Sequence, residues 1–414
     1  MRIAVIDLLF NWPPDGGARV DVKEVFSRIA RYHELKLFAP KLDNVVSRGT
    51  ITGDVGFEVQ PISFCPSAFN RWKVVERFST ALDNYQPDLV FITDGWHMKP
   101  WAAMAARNYP TILRFFAYEC LCLRHHGTFM CGSRSCFRSH IGNLLLDYTY
   151  CNACALKQMA RDVLAGYPGM FYEYIGAMAF FPTYPCTVKT MIKRARAILV
   201  YNSLIQSIIS PMNSSVHIIP GGINPEQFPQ QPFKDKKPFR IGMVGRINDY
   251  NKGYGVLREA FVKLLEKNYD VELWLTGKAP ETLPELPRVY YKGWFSPETL
   301  HHFYADLDIC VVPSIWQEPF GIVAVEAMAS GKPVIVTRVG GLQHIIQHNI
   351  TGISVPKLSA DQLVEAFELL ILNSDLRKRI GEAAAVKARK MYSWDTIVEK
   401  YYLPIIEKQS MENW

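Results

Sequence analysis

Two glutamates, Glu318 and Glu326, stand eight positions apart in a mainly apolar stretch between residues 314 and 333. An apolar run precedes this stretch and another follows it, which predicts the strand, loop, helix and strand of a parallel α/β unit. Such a loop lies at the carboxyl end of its strand, where a helix N-terminus offers unpaired N–H groups to a phosphate. The donors expected there are the N–H groups of Phe320, Gly321 and Ile322.

Glu326 falls about one turn inside the predicted helix, among residues that are apolar on every side. A helix of this kind is buried, and a buried carboxylate needs hydrogen-bond donors. The vicinal hydroxyls of a ribose would donate to Glu326, and a sugar lying further out would reach Glu318. The alternatives are an internal salt bridge for Glu326 and a solvated loop position for Glu318.

Two cations follow a second predicted strand, which begins at Phe239 and ends in Gly245. Arg246 comes directly after the glycine, and Lys252 comes six residues later. Two cations at the carboxyl end of a strand suit an anionic ligand that carries phosphate groups. A pair of ordinary surface cations is the alternative interpretation.

The segment Glu318-Pro-Phe-Gly-Ile-Val-Ala-Val-Glu326 resembles the E-x7-E motif of the retaining glycosyltransferases of family GT4. Gly245-Arg246 with Lys252-Gly253 resembles the diphosphate-binding pair of that family. Residues 219–224 resemble its interdomain crossing, and Ser393-Trp394 the start of its closing helix. These matches cover residues 219 to 400 in the family's order; the resemblance is looser before residue 110 and is not recognisable from 120 to 190.

The resemblance implies an α/β protein with the GT-B fold, two doubly wound Rossmann-like domains that face each other across a cleft. It places an N-terminal acceptor-side domain at 1–225, with a Cys-rich insertion at about 120–190. A C-terminal nucleotide-sugar-binding domain follows at 226–395, and a helix at 396–414 returns to the first domain. The length of 414 residues also favours two domains.

The function that the resemblance implies is sugar transfer with retention at the anomeric carbon and without a catalytic metal. The donor is a nucleotide-diphosphate sugar, and the acceptor is a glycan, a lipid-linked molecule or a small molecule. The departing diphosphate is stabilised chiefly by Arg246, Lys252 and the helix that starts near Gly321. A nucleotide-sugar 2-epimerase and a nucleotide-sugar-binding protein without activity are the alternatives.

Further donor contacts follow from the resemblance alone. Gly16 and Gly17, in the loop after the first strand, are expected to close over the diphosphate, although a plain tight turn explains the pair equally well. Backbone groups near Gly293 and Trp294 are expected to hold the base. Gly340-Gly341 resembles the glycine turn that faces the donor sugar, with Gln343-His344 where Pro-Glu is common. The expected donor-binding residues are therefore Gly16, Gly17, Gly245, Gly293, Trp294, Phe320, Gly321, Ile322 and Glu326.

The acceptor edge departs from the family pattern. A predicted strand at 87–93 ends just before Asp94 and His97, whereas the family often carries a histidine motif where Phe91 and Thr93 stand here. Asp94 or His97 is expected to take the acceptor-facing role, which completes a catalytic set with Arg246, Lys252 and Glu318. A hydrogen-bonded structural residue is the alternative for His97.

Six of the nine cysteines lie between residues 120 and 154. Cys131-x4-Cys136 and Cys151-x2-Cys154 offer four thiolates in two pairs, which is typical of tetrahedral structural zinc. Reduced thiols are expected in a cytoplasmic protein, so a disulfide framework is not predicted. Free buried cysteines are the alternative. Asp306-Leu-Asp308 opens a buried strand and is interpreted as structural, so no metal for catalysis is predicted.

The net charge of +7 lies wholly in the first half of the chain. Residues 1–225 hold 23 Lys and Arg against 16 Asp and Glu, while residues 226–414 hold 23 of each. Basic residues at 114–196 alternate with an aromatic-rich stretch, which predicts peripheral contact with an anionic membrane or a phosphorylated acceptor; a solvated face over a core is the alternative. No stretch approaches the about 20 apolar residues of a membrane span, and the N-terminus lacks the flanks of a signal peptide. We expect a cytoplasmic protein, peripheral to the inner face of the membrane, without a nucleic acid partner.

Overall fold

The computed structural model describes residues 1–14, 16–42, 48–124, 130–131, 134–136, 138–142, 145–164, 166, 169–233, 235, 237–279 and 284–411. For residues 67, 130–131, 134–135, 145 and 410–411 it describes the backbone alone. Contacts divide the chain into two units. The first unit comprises Met1–Pro220 with Val398–Trp414, and the second comprises Gly221–Ile397.

The first unit is built on a parallel sheet whose inner strands are almost wholly buried, as the apolar runs of a sheet covered on both faces predict, while its two outer strands are largely exposed. Its strands are β1 (Arg2–Ile6), β2 (Glu34–Lys41), β3 (Glu58–Ser63), β4 (Leu89–Ile92), β5 (Thr111–Arg114), the separate antiparallel hairpin β6 (Met130–Cys131) and β7 (Arg134–Ser135), β8 (Ala197–Val200) and β9 (Val216–Ile218). The sheet order is β3-β2-β1-β4-β5-β8-β9.

The helices of the first unit connect these strands. They are α1 (Gly17–Ile29), α2 (Arg71–Tyr85), α3 (Lys99–Ala105), α4 (Leu145–Leu164), α5 (Gly169–Gly176), α6 (Tyr184–Arg194) and α7 (Ser203–Ile209). Two of them have an asparagine as N-cap, Asn70 for α2 and Asn202 for α7. Each asparagine side chain accepts a hydrogen bond from a backbone N–H group of the first turn. In the described part of the chain no helix is both long enough and apolar enough to span a bilayer.

The second unit repeats this architecture. Its strands are β10 (Phe239–Met243), β11 (Val271–Leu275), β12 (Val289–Tyr291), β13 (Ile309–Val312), β14 (Val334–Thr337) and β15 (Ile353–Val355), all parallel, in the order β12-β11-β10-β13-β14-β15. Its helices are α8 (Tyr254–Glu266), α9 (Leu300–Asp306), α10 (Ile322–Ala329), α11 (Leu342–Ile345), α12 (Ala360–Leu372), α13 (Ser374–Met391) and α14 (Trp394–Ile397). The chain continues through a π-helical turn, Val398–Tyr402, into α15 (Leu403–Met411).

Counted within each unit, the strand order runs 3-2-1-4-5-6, with one further strand in the first. This is the doubly wound Rossmann order, and the predicted fold class is confirmed for each unit. The order reverses between β1 and β4 and again between β10 and β13, and ligands of such sheets bind at the carboxyl ends of the strands at this reversal. In the second unit, the residues that follow β10 and β13 therefore share one edge of the sheet.

The last strand of the first sheet has no apolar run. The apolar residues at 197–200 form β8, and β9 lies outside β8 and pairs with it in parallel. Val216 is buried, whereas His217 and Ile218 are exposed, so β9 has no apolar run that would mark it.

Candidate functional site

The turn after β10 carries Arg246. Gly245 has a φ of 126°, a conformation that favours glycine, and its N–H donates to the Thr276 hydroxyl at 2.9 Å. A Cβ at Gly245 would meet no atom within 4 Å, so the space above this turn is open. The Arg246 side chain is 63% exposed, and its guanidinium lies 3.9 Å from the Asp249 carboxylate. The turn thus presents a solvated cation beside open space.

Lys252 ends a short 3-10 turn, Tyr250–Lys252, just before α8. The next residue, Gly253, has a φ of 79°, and a Cβ there would lie 1.9 Å from the carbonyl oxygen of Pro313. The N–H of Ile315 also donates to the Asn251 carbonyl at 2.9 Å. The turn is therefore packed directly on the chain that leaves β13, and this contact brings Lys252 to Glu318.

The Glu318 carboxylate is fixed by three side-chain donors. The Lys252 ammonium lies 3.2 Å from its Oε1 and 3.1 Å from its Oε2. Oε2 also accepts from the Ser314 hydroxyl at 2.9 Å and from the Trp316 indole N–H at 2.8 Å. The Glu318 residue is only 8% exposed, so the alternative interpretation of Glu318 as a solvated loop residue is wrong. Ser314 and Trp316 were not predicted as partners of Glu318. Their positions, four and two residues before Glu318, are the only signal in the sequence that their side chains could donate to its carboxylate.

Glu326 lies in the second turn of α10 and is partly buried. Its Oε2 accepts from the Tyr304 hydroxyl at 2.8 Å, and Tyr304 belongs to α9. Burial raises the pKa of Glu326 from an ordinary 4.5 to about 7, while the hydrogen bond from Tyr304 lowers it. Among the described residues no Lys or Arg lies within 4 Å of this carboxylate, so the alternative of an internal salt bridge is wrong. Tyr304 was not predicted, because a tyrosine on another helix leaves no local signal.

The glycine turn at 340–341 packs against the loop that carries Glu318. The Gly340 N–H donates to the Gln317 side chain at 2.8 Å, and the Gly341 N–H donates to the Glu318 carbonyl at 2.6 Å. A Cβ at Gly340 would lie 2.2 Å from that same carbonyl oxygen, and one at Gly341 would lie 2.4 Å from the Pro319 carbonyl oxygen. Both glycines are required by this close approach. Gln343 and His344 fall inside α11.

The N-terminus of α10 is fixed by Gly321, whose φ is 108° and whose Cβ would lie 2.3 Å from the Leu342 side chain. Phe320 is buried and packs edge-on against Tyr392, with ring centres 5.8 Å apart. Ile322 is the first residue of the helix, and backbone N–H groups at a helix start point away from the helix and towards a ligand. The loop thus places the predicted donors at a helix start beside Glu318.

Gly293 and Trp294 follow β12, two strands away from β10. The Gly277 N–H donates to the Gly293 carbonyl at 2.7 Å, which joins the ends of β11 and β12. The Trp294 side chain is 64% exposed, and its ring lies 3.4 Å from the Cβ position of Gly277. A flat, exposed aromatic surface thus stands at the edge of the sheet.

In the first unit, Asp94 follows β4 and forms a buried ion pair with Arg19 of α1 at 2.6 Å. Thr93 donates to the neighbouring Asp7 carboxylate at 2.7 Å, and burial raises the pKa of Asp7. His97 is 1% exposed, and its Nε2 lies 3.1 Å from the Leu123 carbonyl. Asp94 is therefore held among charges, and His97 lies in the interior.

Gly16 and Gly17 start α1. Gly16 is extended, with a φ of −176°, and a Cβ there would meet nothing within 4 Å. Neither conformation nor crowding requires glycine at Gly16. The roles of Gly16, Gly17, Asp94 and His97 stay predictions.

Two further carboxylates, Glu119 and Asp308, accept hydrogen bonds from backbone N–H groups. Glu119 accepts from the N–H groups of Phe116 and Ala117 and lies 3.7 Å from the Lys99 ammonium; burial raises its pKa to about 7. In the second unit, Asp308 accepts from the Arg240 N–H at 2.8 Å, a structural role in the sheet. Both contacts fasten a turn to a neighbouring strand or helix.

Of the predicted zinc ligands, the Cys131 side chain lies outside the described residues. Cys136 follows β7, and Cys151 and Cys154 lie one turn apart on α4; all three are half-buried thiols that form no disulfide. Burial, followed by the thiols of Cys122, Cys136 and Cys154, raises the pKa of Cys151 to about 12. Where side chains are described, no three His, Cys, Asp or Glu groups stand in a metal-binding arrangement.

Residues 224–387 match the family model described as glycosyl transferases group 1. An uncharacterized glycosyltransferase of Methanocaldococcus jannaschii is 33% identical over 247 residues, which are 55% of this chain and 61% of that protein. The lipopolysaccharide 1,2-N-acetylglucosaminetransferase of Salmonella typhimurium is 26% identical over 227 residues, 49% of this chain and 57% of that protein. The chain thus spans about 60% of the length of these curated relatives.

The fold is shared along the whole chain with a solved structure, Anabaena HepE in complex with UDP-glucose. The TM-score is 0.66 at 15% identity, and the match covers 100% of both chains. At this identity the likeness shows the fold alone. The family-model match covers β10 to β14, both cations and both glutamates of the site described above.

Proposed function

We propose, because residues 224–387 match the family model of the group 1 glycosyl transferases, that the protein transfers a sugar from a nucleotide-diphosphate sugar to a lipid-linked glycan. The observation that carries the proposal is the contact of Lys252 with both oxygens of Glu318, at the edge where β10 and β13 end. A cation for the diphosphate and a carboxylate for sugar hydroxyls there share one ligand-binding edge. Neither the epimerase nor the inactive binding protein has support from the relatives.

The donor diphosphate is bound by Arg246, Lys252 and the start of α10. Arg246 is solvated and beside open space, so it can reach a phosphate without breaking a buried contact. Lys252 already contacts Glu318, and a phosphate oxygen would share the ammonium, which has three donor hydrogens. Glu318 remains hydrogen-bonded by Ser314 and Trp316 while that exchange occurs. Its orientation towards a sugar hydroxyl therefore survives donor binding.

Glu326 is the group that holds the donor ribose in this proposal. Tyr304 occupies Oε2, which leaves Oε1 for a ribose hydroxyl. The exposed ring of Trp294 supports the base by stacking. The donor proposed is a uridine diphosphate sugar, because a protein of the same fold is known in complex with UDP-glucose.

Catalysis in this proposal consists of stabilising the departing diphosphate. Negative charge develops on it as the glycosidic bond breaks, and two fixed cations with helix N–H groups are aimed at that charge. These groups neutralise the charge on the diphosphate, as a divalent ion does in other enzymes. We therefore propose that the reaction does not depend on added metal. Retention at the anomeric carbon rests on the resemblance of the Glu318 to Glu326 segment to retaining enzymes.

The acceptor side is proposed in the first unit, where apolar side chains stand exposed around a hollow of about 630 Å³. Trp72 is 60% exposed, Tyr172 58% and Ile175 44%, and Arg71 stacks on Trp72 at 4.3 Å. Exposed aromatic rings beside cations suit the chain of a lipid-linked acceptor and its anionic headgroup. The Salmonella typhimurium relative, named for lipopolysaccharide, supports this class of acceptor. We place the protein at the inner face of the cytoplasmic membrane on this basis.

The catalytic proposal is tested with UDP, GDP and ADP sugars, with and without lipid-linked acceptors, by release of the nucleoside diphosphate and by the anomeric configuration of the product. Acceptor-dependent release from one donor, with retained configuration and the same rate in EDTA, is expected. Inverted configuration, or loss of activity in EDTA that Mg²⁺ restores, would contradict the retaining or the metal-independent part.

Membrane contact is tested by co-sedimentation with phosphatidylglycerol vesicles and with neutral phosphatidylcholine vesicles. Wild type is expected in the anionic pellet, and Trp72→Ala with Ile175→Ala is expected to reduce that fraction severalfold. Leu372→Ala, which removes a side chain 68% exposed on the second unit, serves as the control and should leave it unchanged. Equal sedimentation with both vesicle types, or an equal effect of the control, would rule out this surface.

A further inference from the structure

We propose that the ion pair between Arg48 and Glu173 forms the floor of the hollow in the first unit and that Glu173 binds a sugar hydroxyl there. Both side chains line this hollow of about 630 Å³. The inference rests on the proposed function and deepens it, because it states which part of a lipid-linked glycan enters the hollow. The sugar binds at the floor, and the lipid stays with the exposed aromatic side chains.

Three chain segments line the hollow. Arg48 lies in the chain after β2, the second segment is the 3-10 turn Pro66–Ala68 with the start of α2, and the third is α5. Gly176 ends α5, and a Cβ there would lie 2.7 Å from the Phe69 carbonyl oxygen. This close packing fixes α5 against the chain before α2. The hollow is therefore formed without a ligand, as small-molecule sites usually are.

The lining of the hollow changes from apolar and exposed to charged and buried. Trp72, Tyr172 and Ile175 are exposed, whereas Arg48 is only 2% exposed and Glu173 only 3%. The exposed side chains thus form the rim of the hollow, and the ion pair lies at its floor. A buried ion pair costs desolvation free energy, so it needs further hydrogen bonds to offset that cost.

The Arg48 guanidinium makes its contacts within the protein. Nη1 donates to the Leu8 carbonyl at 3.1 Å, and Nη2 donates to Oε1 of Glu173. The guanidinium carbon lies 5.2 Å from the centre of the Phe69 ring and 5.4 Å from that of the Trp96 ring, within the range of cation–π contacts. Arg48 therefore orients Glu173 and neutralises its charge.

The second carboxylate oxygen of Glu173 is the group that a ligand can use. Oε1 accepts from Arg48, whereas Oε2 is buried and has no hydrogen-bond partner among the residues that the structure describes. A buried acceptor without a donor is costly, and a ligand that supplies the donor recovers this free energy. Because Glu173 lines the hollow, a donor that reaches the floor meets this oxygen.

Charge determines which donor fits the floor. A phosphate would bring negative charge against Oε2, and an ammonium would add an uncompensated charge to a pair that is already neutral. A hydroxyl donates the missing hydrogen bond without adding charge. Aromatic side chains such as Phe171 and Tyr172 offer apolar area to the C–H face of a sugar ring. An uncharged sugar ring satisfies both parts of the lining.

The floor adjoins the edge of the first sheet at which the strand order reverses. Leu8, whose carbonyl accepts from Arg48, follows β1, and its N–H donates to the Asp94 carbonyl at 2.9 Å. Asp94 follows β4, so this contact joins the ends of the two strands between which the order reverses. Ligands of doubly wound sheets bind at this edge, which supports a binding role for the ion pair.

The test measures the binding of three probes that share one alkyl chain, namely octyl glucoside, octyl phosphate and octylammonium. Isothermal titration calorimetry is performed on the full chain below the micelle concentration of each probe. Wild type is expected to bind octyl glucoside about tenfold more tightly than either charged probe, as one hydrogen bond to a charged group allows. Equal affinity for the three probes, or tighter binding of a charged one, would overturn the proposal without any variant having to fold.

The variant Arg48→Leu with Glu173→Leu removes both charges together, because apolar replacement of a whole buried pair usually preserves the fold. It should bind octyl glucoside about tenfold more weakly than wild type. Lys36→Ala with Glu58→Ala, which removes a more exposed ion pair of the same unit, is the control and should bind as wild type does. Wild-type affinity in the Arg48 and Glu173 variant, shown to be folded by circular dichroism, would also overturn the proposal.

A kinetic measurement separates this inference from the proposed function. In acceptor-dependent release of nucleoside diphosphate, the Arg48 and Glu173 variant should raise the KM for the acceptor about tenfold and leave the KM for the donor unchanged. Release by this variant with a wild-type KM for the acceptor would overturn the inference and leave the transferase in place. Preference for octyl glucoside without any acceptor-dependent release would support the sugar site and contradict the proposed function alone.

Discussion

Replacing Glu326 by glutamine is expected to stabilise the ligand-free protein and at the same time to abolish donor binding. Burial raises the pKa of this carboxyl from 4.5 to about 7, so the ionised carboxylate destabilises the folded protein. Glutamine has nearly the same shape and still accepts the hydrogen bond from Tyr304, but it carries no charge. Donor binding is lost because the ribose hydroxyls would face an amide in place of a carboxylate.

The magnitude follows from the pKa. A raised pKa means that the folded state binds the proton more tightly, so the stabilising contribution is complete below pH 4.5 and is lost as the pH rises through 7. At roughly 1.4 kcal/mol per pKa unit, wild type at pH 8 has lost about 3 kcal/mol that the glutamine variant keeps. At pH 5 the difference shrinks to about 1 kcal/mol. For a unit of this size, about 3 kcal/mol corresponds to roughly 6 to 12 °C in Tm.

The assay is calorimetric unfolding of the full chain at pH 5 and pH 8, with and without a UDP sugar. The Tm of the second unit is compared between wild type and the Glu326→Gln variant. Glu318→Gln is the matched control, since that carboxylate pairs with Lys252 and its loss should lower the Tm or leave it unchanged at both pH values. A Glu326→Gln variant that is less stable than wild type at pH 8, or equally stabilised at both pH values, would refute the reasoning.

Two further predictions concern a backbone contact and a buried charge. Gly340→Ala should lower the Tm and weaken donor binding, because its Cβ would lie 2.2 Å from the Glu318 carbonyl oxygen, whereas Gly255→Ala, exposed in α8 with nothing within 4 Å, should stabilise by about 0.5–1 kcal/mol; similar Tm changes for the two would contradict this. Arg19→Ala leaves Asp94 buried without its cation and should cost about 3–5 kcal/mol by thermal unfolding, while Lys73→Ala, from an exposed pair, should cost under about 1 kcal/mol; a cost for Arg19→Ala no larger than that of the control would count against it.

The sequence was most informative where the chain is apolar and regular. The strand, loop, helix and strand predicted around residues 314–333 occur as β13, α10 and β14, and the buried strands of both units are short apolar runs. The resemblance to glycosyltransferases, seen in the spacing of Glu318 and Glu326 and in the cations before them, is supported by the family-model match at residues 224–387. Local pattern and motif order were enough for these features.

The partners of the two glutamates were out of reach of sequence reasoning. Lys252 is 66 residues from Glu318, and they meet because β10 and β13 are neighbours in the sheet. Tyr304 reaches Glu326 from a different helix. Side-chain pairing of this kind depends on strand order and helix packing, which no periodicity in the sequence encodes.

The Cys-rich part shows a different limit. Spacing alone favoured Cys131 with Cys136, as the nearest pair. In the structure, Arg124 and Arg138 anchor the segments after Cys122 and Cys136 on α4 through Gln158 and Asp147. Contacts between distant segments of this kind are not predicted by counting residues between neighbouring cysteines.

Acceptor-dependent release of nucleoside diphosphate by wild type, Lys252→Ala and Lys267→Ala tests the central claim most directly. Lys267 is a surface lysine of the same unit, paired with Glu368 at 2.8 Å, and its loss should leave the rate within about twofold, as expected of an exposed pair. Lys252→Ala should lower kcat by about 10²–10³, the usual effect of removing one group that stabilises developing charge. If Lys252→Ala and Lys267→Ala turn over the donor equally well, the edge formed by β10 and β13 is not the catalytic centre.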